Sequence, residues 1–282
     1  MKHIFLNLKR FDITPELGGV NRLAEPAAWG AAVVGGIQAG VARYADTCEF
    51  AAFLPEAHLI GAVGARSEGS VMEVGCQGVH GADTAPGGNF GAFTTLRTAN
   101  AMKQLGVSWA IIGHCEERMN LRAIMAEAGV KGDVAEAAVG RILNREVLAA
   151  QAAGMSVLYC LGERDFELDR AEEVLASQLT SGLAEADLSR VVVAYEPVWS
   201  IGPGKTPADA PYIQRVATHL KATLPGIDVV YGGGLKADNA EMLAGIPEVD
   251  GGLIALTRFS GEIGFYPEEY QQIVELYLGA CA

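Results

Sequence analysis

The chain has 282 residues, of which 50% are hydrophobic and 20% charged, and its formal net charge at pH 7 is −13. This composition supplies a large core and excludes an intrinsically disordered chain. The negative charge makes nucleic acid and anionic membrane surfaces poor partners, because binding to their phosphates needs clustered Lys and Arg. The length is ordinary for one α/β barrel, so we expect a single domain over residues 1–282.

The cysteines and the N-terminal residues predict the cellular compartment. The cysteine count is odd, at five, and none forms a C-x-x-C pair, which favours buried, reduced thiols over disulfides or a metal site. The apolar stretch that begins at His3 is too short for a signal peptide, and no apolar run is long enough to span a bilayer. We therefore expect a cytoplasmic protein that needs no metal ion.

Short apolar runs recur along the chain and predict buried strands. Most are rich in Val, Ile, Leu or Phe and show little alternation with polar residues, which is typical of strands buried on both faces. The predicted strands are His3–Leu8, Phe50–Leu54, Val71–Cys76, Trp109–Ile112, Ser156–Leu161, Val191–Tyr195, Asp228–Tyr231 and Gly252–Leu256.

The segments between these runs predict helices, because apolar residues recur in them three or four positions apart. The clearest are Glu25–Tyr44, Val134–Ala153, Ala171–Leu183, Pro211–Leu224 and Ala237–Leu243. Eight strands, each followed by a crossover, indicate a (β/α)8 TIM barrel. A doubly wound open sheet remains the alternative, because counting strands does not separate the two.

Two connections are longer than this scheme requires. Gly78–Gly91 is a glycine-rich loop after the third strand, and connections of this length are often functional or lie at an interface. Met119–Gly132 is a surplus segment after the fourth strand, and the sequence assigns it no role.

Polar residues at the ends of the strands are the candidates for function, because a barrel of this kind places its chemistry at the carboxyl ends of its strands. These residues are Asn7 and Lys9 after strand one, His114 and Glu116 after strand four, Glu196 after strand six, and Gly232, Gly233 and Gly234 after strand seven.

Glu196 and His114 suggest acid–base chemistry. A carboxylate directly after a Val-rich strand is either half of a structural ion pair or a general base made more basic by partial desolvation. His114 precedes a predicted helix, whose N-terminus disfavours a charged imidazolium. A neutral imidazole there can polarise a carbonyl, although a structural histidine is the alternative. Glu116 can anchor a nearby cation or serve as an acid in the first helical turn.

Lys9 and the glycine-rich segments could bind an anion. A lysine that ends a buried strand can direct its ammonium into the barrel mouth, although a surface lysine is equally consistent with the sequence. Gly202–Thr206 follows Glu196 closely and could close over it as a lid. It is not a Walker A motif, because Trp199 stands where the first glycine would be. Gly233 and Gly234 offer bare N–H groups that could hold a phosphate.

Taken together, these segments resemble the triosephosphate isomerase family. They occur in the family's order and span nearly the whole chain, and the block around Glu196 is the most specific of them. The segments are Asn7–Lys9, Gly91–Thr94, Ile112–Glu116, Cys160–Glu163, Ala194–Thr206, Tyr231–Gly233 and Asp250–Gly251.

The resemblance implies a homodimeric barrel that interconverts an aldose phosphate and a ketose phosphate without a cofactor, with glyceraldehyde 3-phosphate and dihydroxyacetone phosphate as the first candidates. It implies that Glu196 is the base, that His114 and Asn7 stabilise the enediolate oxygens, and that Lys9 supplies positive charge. Glu116 would support the site. Gly202 and Gly233 would bind the phosphate. Thr94, at the end of the Gly78–Thr94 loop, would reach the partner subunit.

Several residues around the catalytic positions depart from the family pattern. Leu8 replaces a tryptophan, and Cys115 replaces the usual serine after the histidine. Glu117 replaces an arginine that the family pairs across the dimer interface with an acidic residue, which is Thr95 here. Pro203 replaces a threonine at the lid tip.

The phosphate-binding positions depart further. Gly234 replaces a serine that holds the closed lid in the family. Ala255 and Leu256 replace two glycines after strand eight, and their Cβ atoms would crowd a phosphate. Arg258 could compensate by a bidentate contact. The pattern leaves two alternatives: a sister isomerase for a four-carbon substrate such as an erythrulose phosphate, and a catalytically idle barrel that binds a sugar phosphate or a partner protein.

Overall fold

The computed structural model describes residues 1–202 and 204–281, so Pro203 lies outside the described residues. Eight parallel strands form a closed barrel in chain order, with β8 paired to β1. The strands are β1 (Lys2–Asn7), β2 (Cys48–Leu54), β3 (Met72–Cys76), β4 (Trp109–Ile112), β5 (Ser156–Leu161), β6 (Val191–Tyr195), β7 (Asp228–Tyr231) and β8 (Gly251–Ile254). The β1–β8 ladder excludes an open sheet and confirms the predicted (β/α)8 barrel.

Helices cover the outside of the barrel. Those in the described ranges are α1 (Trp29–Val41), α2 (Leu59–Gly64), α3 (Ala99–Gln104), α4 (Cys115–Glu127), α5 (Gly132–Ala152), α6 (Ala171–Gly182), α7 (Ala210–Thr223), α8 (Ala240–Ala244) and α9 (Pro267–Ala280). The predicted helix Glu25–Tyr44 is shorter in the structure, because 3₁₀ turns precede and follow α1. Most of the surplus segment Met119–Gly132 belongs to α4, so it extends a helix and is not a loop.

Side chains from the strands fill the barrel interior. Buried residues from seven of the strands form this inner cluster: Phe5, Ala51, Phe53, Trp109, Ile111, Leu158, Cys160, Val192, Ala194, Val230 and Leu253. On β3, a Cβ atom at Gly75 would lie 2.4 Å from the Phe53 ring, so a glycine is needed beside the large aromatic. The filled interior restricts any substrate to the mouth of the barrel.

The prediction for the eighth strand was wrong by one residue at its start and two at its end. β8 begins at Gly251, where an added Cβ atom would lie 1.7 Å from the carbonyl oxygen of His3 on β1. It ends at Ile254, opposite Leu6, and the chain then turns so that Arg258 forms an antiparallel bridge with Gly264. Ala255 and Leu256 therefore lie in the loop after the strand.

A membrane-spanning helix needs sufficient length and apolarity. Across residues 1–202 and 204–281, no helix combines the length and the apolar character needed to cross a bilayer.

Candidate active site

Glu196 lies directly after β6, at the mouth of the barrel, and its residue is only 2% exposed. Two glycines allow this close packing. A Cβ atom at Gly162 would lie 1.8 Å from the Glu196 carbonyl oxygen, and one at Gly232 would lie 2.7 Å from the Glu196 Cγ. The ends of β5 and β7 therefore enclose the carboxylate and remove it from water.

His114 faces this carboxylate from the end of β4. It is the N-cap of α4, and its Nδ1 accepts the backbone N–H of Glu116 at 3.3 Å. An accepting Nδ1 places the proton of the neutral ring on Nε2, which lies 3.0 Å from Glu196 Oε1. The backbone N–H of Cys115 donates to Glu196 Oε2 at 2.9 Å. The N-terminus of α4 thus holds both members of the pair.

The surroundings of Glu196 change its acid–base properties. Burial raises the pKa of the Glu196 carboxyl, and His114, the Cys115 N–H and Lys9 oppose this effect without cancelling it. The outcome is a carboxylate that accepts a proton more readily than one in water, which is the property that the sequence suggested for a base.

Lys9 and Asn7 reach the same site from the end of β1. The Lys9 ammonium lies 2.9 Å from Glu116 Oε1. Burial alone would lower the Lys9 pKa, but Glu116 raises it above its ordinary value, so the ammonium stays charged. Asn7 Oδ1 accepts the backbone N–H of Lys9 at 3.1 Å. The structure therefore brings together all five residues that the sequence proposed for catalysis: Asn7, Lys9, His114, Glu116 and Glu196.

Gln77, at the end of β3, supports this cluster and was missed by the sequence analysis. Its Nε2 lies 3.0 Å from the Lys9 carbonyl oxygen and 3.3 Å from Asn7 Oδ1. Lys9 has a backbone φ of 39°, in the left-handed region that non-glycine residues rarely adopt. Gln77 therefore helps to hold a strained turn. Its position directly after the predicted third strand was the available signal in the sequence.

Arg118 is a second residue that the sequence did not single out. It is 3% exposed, and its Nε donates to the carbonyl oxygen of Gly113 at 2.7 Å. Its Nη2 donates to Tyr159 Oη at 2.9 Å and to the Cys160 carbonyl oxygen at 2.8 Å. The guanidinium thus fixes the residue that precedes His114 against β5.

The backbone conformation or the close packing at the proposed phosphate-binding glycines already favours glycine at these positions. Gly202 and Gly234 have φ values of 118° and 101°, which favour glycine. A Cβ atom at Gly233 would lie 2.3 Å from Tyr231 Oη. Ala255 and Leu256 are half-buried in the loop after β8. These residues follow β6, β7 and β8. Positive φ values at Gly202 and Gly234 and close packing at Gly233 explain the glycines as well as phosphate binding does.

Arg258 is engaged by other residues. Its Nε donates to Glu269 Oε1 at 2.7 Å, and its guanidinium carbon lies 3.7 Å from the centre of the Tyr266 ring. A contact with phosphate would have to break this ion pair. Lys236 lies closer to the glycine loop, since a Cβ atom at Gly234 would be 3.5 Å from its Cε. The Lys236 ammonium sits 4.2 Å from the centre of the Phe259 ring.

Glu163 organises the start of the proposed lid, a role the sequence did not reveal. It is fully buried, and its Oε1 accepts hydrogen bonds from Tyr195 Oη at 2.8 Å, Trp199 Nε1 at 2.7 Å and Tyr212 Oη at 2.9 Å. Trp199 also packs edge-on against Tyr212, with ring centres 5.4 Å apart. The carboxylate therefore joins β5 and β6 to α7 and to the hinge, Pro197–Trp199, which leads into the proposed lid.

Glu117, the charge reversal in the family motif, makes contacts within its own chain. Its Oε2 accepts the backbone N–H of Gly113 at 2.6 Å. It lies near Arg97, since a Cβ atom at Gly78 would be 3.6 Å from both side chains. Arg97 donates to the carbonyl oxygens of Gln77 and Gly78, at 2.6 Å and 3.2 Å. The base of the Gly78–Thr94 loop is thus held within the subunit.

Comparisons with known proteins agree with this geometry. The family model described as "TIM: Triosephosphate isomerase" matches residues 30–263. The triosephosphate isomerase of Chlorobium luteolum is 33% identical over 244 residues, which is 82% of this chain and 87% of that protein. That of Marinobacter nauticus is 39% identical over 176 residues, 58% of this chain and 64% of that protein.

A solved structure shows the same fold. The triosephosphate isomerase of Bartonella henselae superposes with a TM-score of 0.70 over 98% of this chain and 99% of its own, at 24% sequence identity. A TIM barrel whose mouth holds a buried carboxylate, an imidazole and an ammonium has the groups that an aldose–ketose isomerase uses. This chain belongs to the triosephosphate isomerase family, whose members are aldose–ketose isomerases.

Proposed function

We propose that this chain interconverts glyceraldehyde 3-phosphate and dihydroxyacetone phosphate through an enediolate. The observation that carries the proposal is the contact of His114 Nε2 with Glu196 Oε1 at 3.0 Å, beside the charged Lys9. A buried base and a neutral ring N–H at this separation can act on one carbonyl and its neighbouring carbon.

The proton transfer follows from these positions. Glu196 takes a proton from the carbon next to the carbonyl, and the C–H electron pair forms the C=C bond of the enediolate. The Nε2–H of His114 donates to the carbonyl oxygen, on which negative charge develops, and the Lys9 ammonium stabilises this charge. Glu196 then returns the proton to the former carbonyl carbon, and the C=C pair becomes the new C–H bond. The hydroxyl proton on the other carbon passes to the enediolate oxygen by way of His114, and that carbon becomes the new carbonyl.

Glu196 must move before it can act. Both of its oxygens are bound to protein, Oε1 to His114 and Oε2 to the Cys115 N–H. A substrate that inserts between Glu196 and His114 displaces the first contact, and closure of the Gly202–Thr206 loop would exclude water from the site. Gly202, Gly204 and Lys205 are exposed, so the described part of this loop has room to close.

The remodelled loop after β8 keeps a four-carbon substrate as the second candidate. Ala255 and Leu256 bring side chains to a position where the family has glycines, and Arg258 is held by Glu269. These changes alter the space near the phosphate and leave the residues around Glu196 in place.

A coupled isomerase assay separates the candidates. The kcat/KM for glyceraldehyde 3-phosphate and dihydroxyacetone phosphate should be far above that for an erythrulose phosphate. Glu196→Gln should abolish turnover of the triose phosphates and of the four-carbon substrate alike. Preference for the four-carbon substrate would replace the proposal with the sister isomerase. Binding of a phosphorylated sugar with no turnover of any would identify an idle barrel.

We also propose a homodimer formed through the Gly78–Thr94 loop. Phe90 in this loop is 94% exposed, so its ring is available to pack against a partner subunit. Sedimentation should give about twice the chain mass of 29.6 kDa. Phe90→Asp should shift the equilibrium toward the monomer; a monomeric parent protein would contradict the proposal.

A further inference from the structure

The residue after His114 places a thiol beside the proposed catalytic pair. Cys115 Sγ lies 3.8 Å from His114 Nδ1. Three potential metal-ligand atoms, a ring nitrogen of His114, Sγ of Cys115 and a carboxylate oxygen of Glu196, lie within 4.8 Å of one another. His114 and Glu196 are buried, whereas Cys115 is half-buried at the start of α4. A nitrogen, a sulfur and an oxygen donor therefore converge at a place that solvent can reach.

We propose that His114, Cys115 and Glu196 bind a zinc-class divalent metal ion, which inhibits the isomerase by occupying its base. Three protein ligands of these types with a fourth position left to water are the usual make-up of an open zinc site. Thiolate and imidazole select borderline-soft ions such as Zn²⁺ and Co²⁺, while Mg²⁺ and Ca²⁺ prefer sites made of oxygen ligands.

The distances require small side-chain movements. With metal–ligand bonds of roughly 2.0 to 2.3 Å, tetrahedral ligand atoms stand about 3.3 to 3.7 Å apart. The 3.8 Å from Cys115 Sγ to His114 Nδ1 is already near this range. The Glu196 carboxylate has to leave the Cys115 N–H and turn toward the metal, which a change in its χ angles can achieve.

The charges balance when the ion binds. Cys115 loses its thiol proton to solvent, and the thiolate and the Glu196 carboxylate then offset the two positive charges of the metal. The imidazole binds through Nδ1 as the neutral ring. Nδ1 then gives up the hydrogen bond that it accepts from the Glu116 N–H. The Lys9 ammonium lies near these ligands, and its pairing with Glu116 limits its repulsion of the ion. Metal affinity therefore rises with pH, because binding releases a proton.

The inhibition follows from which groups the ion takes. A carboxylate bound to a metal ion is a much weaker base and is turned away from the substrate carbon, so the proposed reaction loses its base. The metal should compete with substrate. This consequence rests on the proposed function, whereas metal binding itself does not.

Cobalt provides a direct probe of the thiolate. Chelator-treated, reduced protein titrated with Co²⁺ should develop a thiolate-to-cobalt charge-transfer band in the near ultraviolet. Cys115→Ser and Cys115→Ala should both lose this band. Cys281→Ser should keep it, because Cys281 is a half-buried free thiol that follows α9. Circular dichroism checks that each variant is folded.

Zinc affinity gives the second readout. Competition with a chromophoric chelator should show at least a tenfold loss of Zn²⁺ affinity in Cys115→Ser, and Zn²⁺ should inhibit the parent enzyme competitively and reversibly while Mg²⁺ does not. Absence of the band in the parent protein, or its survival in both Cys115 variants, would overturn the proposal. A band in a protein that shows no isomerase activity even when it is metal-free would support the metal site and count against the proposed function alone.

Discussion

At the scale of single residues, the site depends on one carboxylate that is kept out of water. Glu196 is 2% exposed, and its burial raises the pKa of the carboxyl. The raised pKa strengthens the base, but it also means that the charged form is destabilised in the folded protein. The two hydrogen bonds from His114 and the Cys115 N–H partly offset that cost. The arrangement favours reactivity over stability at this position.

The length of the Glu196 side chain sets the reach of the base. Glu196→Asp withdraws the carboxylate by roughly 1 Å, and a misplacement of this size can lower a rate about 100-fold. We expect kcat to fall by about that factor while KM changes little, because the role proposed for Glu196 is at the reacting carbon and not at the phosphate. Steady-state kinetics measure this. A large rise in KM with kcat unchanged would show that Glu196 binds substrate instead.

Glu146 on α5 is a second buried acid, and its proton stabilises the fold. It is 9% exposed, and burial together with neighbouring Glu117 raises its pKa to about 9. The folded protein therefore holds a proton here that the unfolded chain releases near pH 4.5. Stability from this group is present at low pH and is lost as the pH rises between these values.

Glu146→Gln should remove this pH dependence, because the amide imitates the protonated acid. We expect the variant to match the parent near pH 5 and to exceed it in free energy of unfolding at pH 8. Urea denaturation at the two pH values is the measurement, and Glu127→Gln, at an exposed acid at the end of α4, is the control. An equal effect at both pH values would show that Glu146 is charged in the folded protein.

At the scale of elements, the carboxylate of Glu163 links β5, β6, the hinge and α7. Its Oε1 accepts three donors, whereas its Oε2 is buried without a hydrogen-bond partner in the described part of the chain. Trp199 lies in the hinge that leads into Gly202–Thr206, so this network fixes where the proposed lid begins. Tyr212, on the helix after the lid, closes the network from the other side.

Tyr212→Phe removes one donor from this buried carboxylate. We expect a loss of about 1 to 2 kcal/mol in the free energy of unfolding, since hydrogen bonds to charged groups contribute about this much. Tyr270→Phe is the matched control, because the Tyr270 hydroxyl is buried and has no hydrogen-bond partner among residues 1–202 and 204–281. That variant should be neutral or more stable. Equal losses in both variants would contradict the assigned role of Glu163.

The sequence predicted the strands well for a physical reason. Strands buried on both faces must be apolar throughout, so runs such as Val191–Tyr195 are visible without knowing their neighbours. Residues that end these runs, including Lys9, His114 and Glu196, were correctly expected at one mouth because all parallel strands of a barrel end there.

Contacts between distant elements could not be predicted in the same way. The reach of Tyr212 from α7 to Glu163, and of Arg258 to Glu269 on α9, depends on how helices pack on the barrel. The end of β8 was misjudged because Ala255 and Leu256 are apolar like the strand before them. Only the pairing with β1, which stops at Ile254, shows that they lie outside it.

At the scale of the whole molecule, a histidine closes the end of the barrel opposite the site. His3 on β1 is 5% exposed, and its Nδ1 and Nε2 lie 3.0 Å from Glu49 Oε2 and 2.8 Å from Asp228 Oδ2. Burial lowers the pKa of His3, but the carboxylates of Glu49 on β2 and Asp228 on β7 raise it by more, so the net shift of the pKa is upward. The His3 ring therefore joins three strands of the barrel.

His3→Gln tests this contribution through its pH dependence. With the folded-state pKa raised, the stabilisation is fully present below the unfolded value of about 6.5 and is lost as the pH rises through the folded value. The stability difference between parent and His3→Gln should therefore shrink from pH 5.5 to pH 9 in urea denaturation. His219→Gln, at a half-buried histidine on α7, is the control. A difference that stays constant would mean that folding does not raise the pKa of His3.

The central claim is that Glu196 moves a proton, and not a hydride, between neighbouring carbons. The most direct test is isomerisation in D₂O, with deuterium in the isolated product located by NMR or mass spectrometry. A proton carried on a carboxyl group exchanges with solvent, so the product made by the parent protein should carry deuterium at the carbon next to the carbonyl. Glu196→Gln should turn over too little substrate to give a deuterated product. Rapid turnover that leaves the product free of deuterium, or full deuterium incorporation by Glu196→Gln, would contradict it.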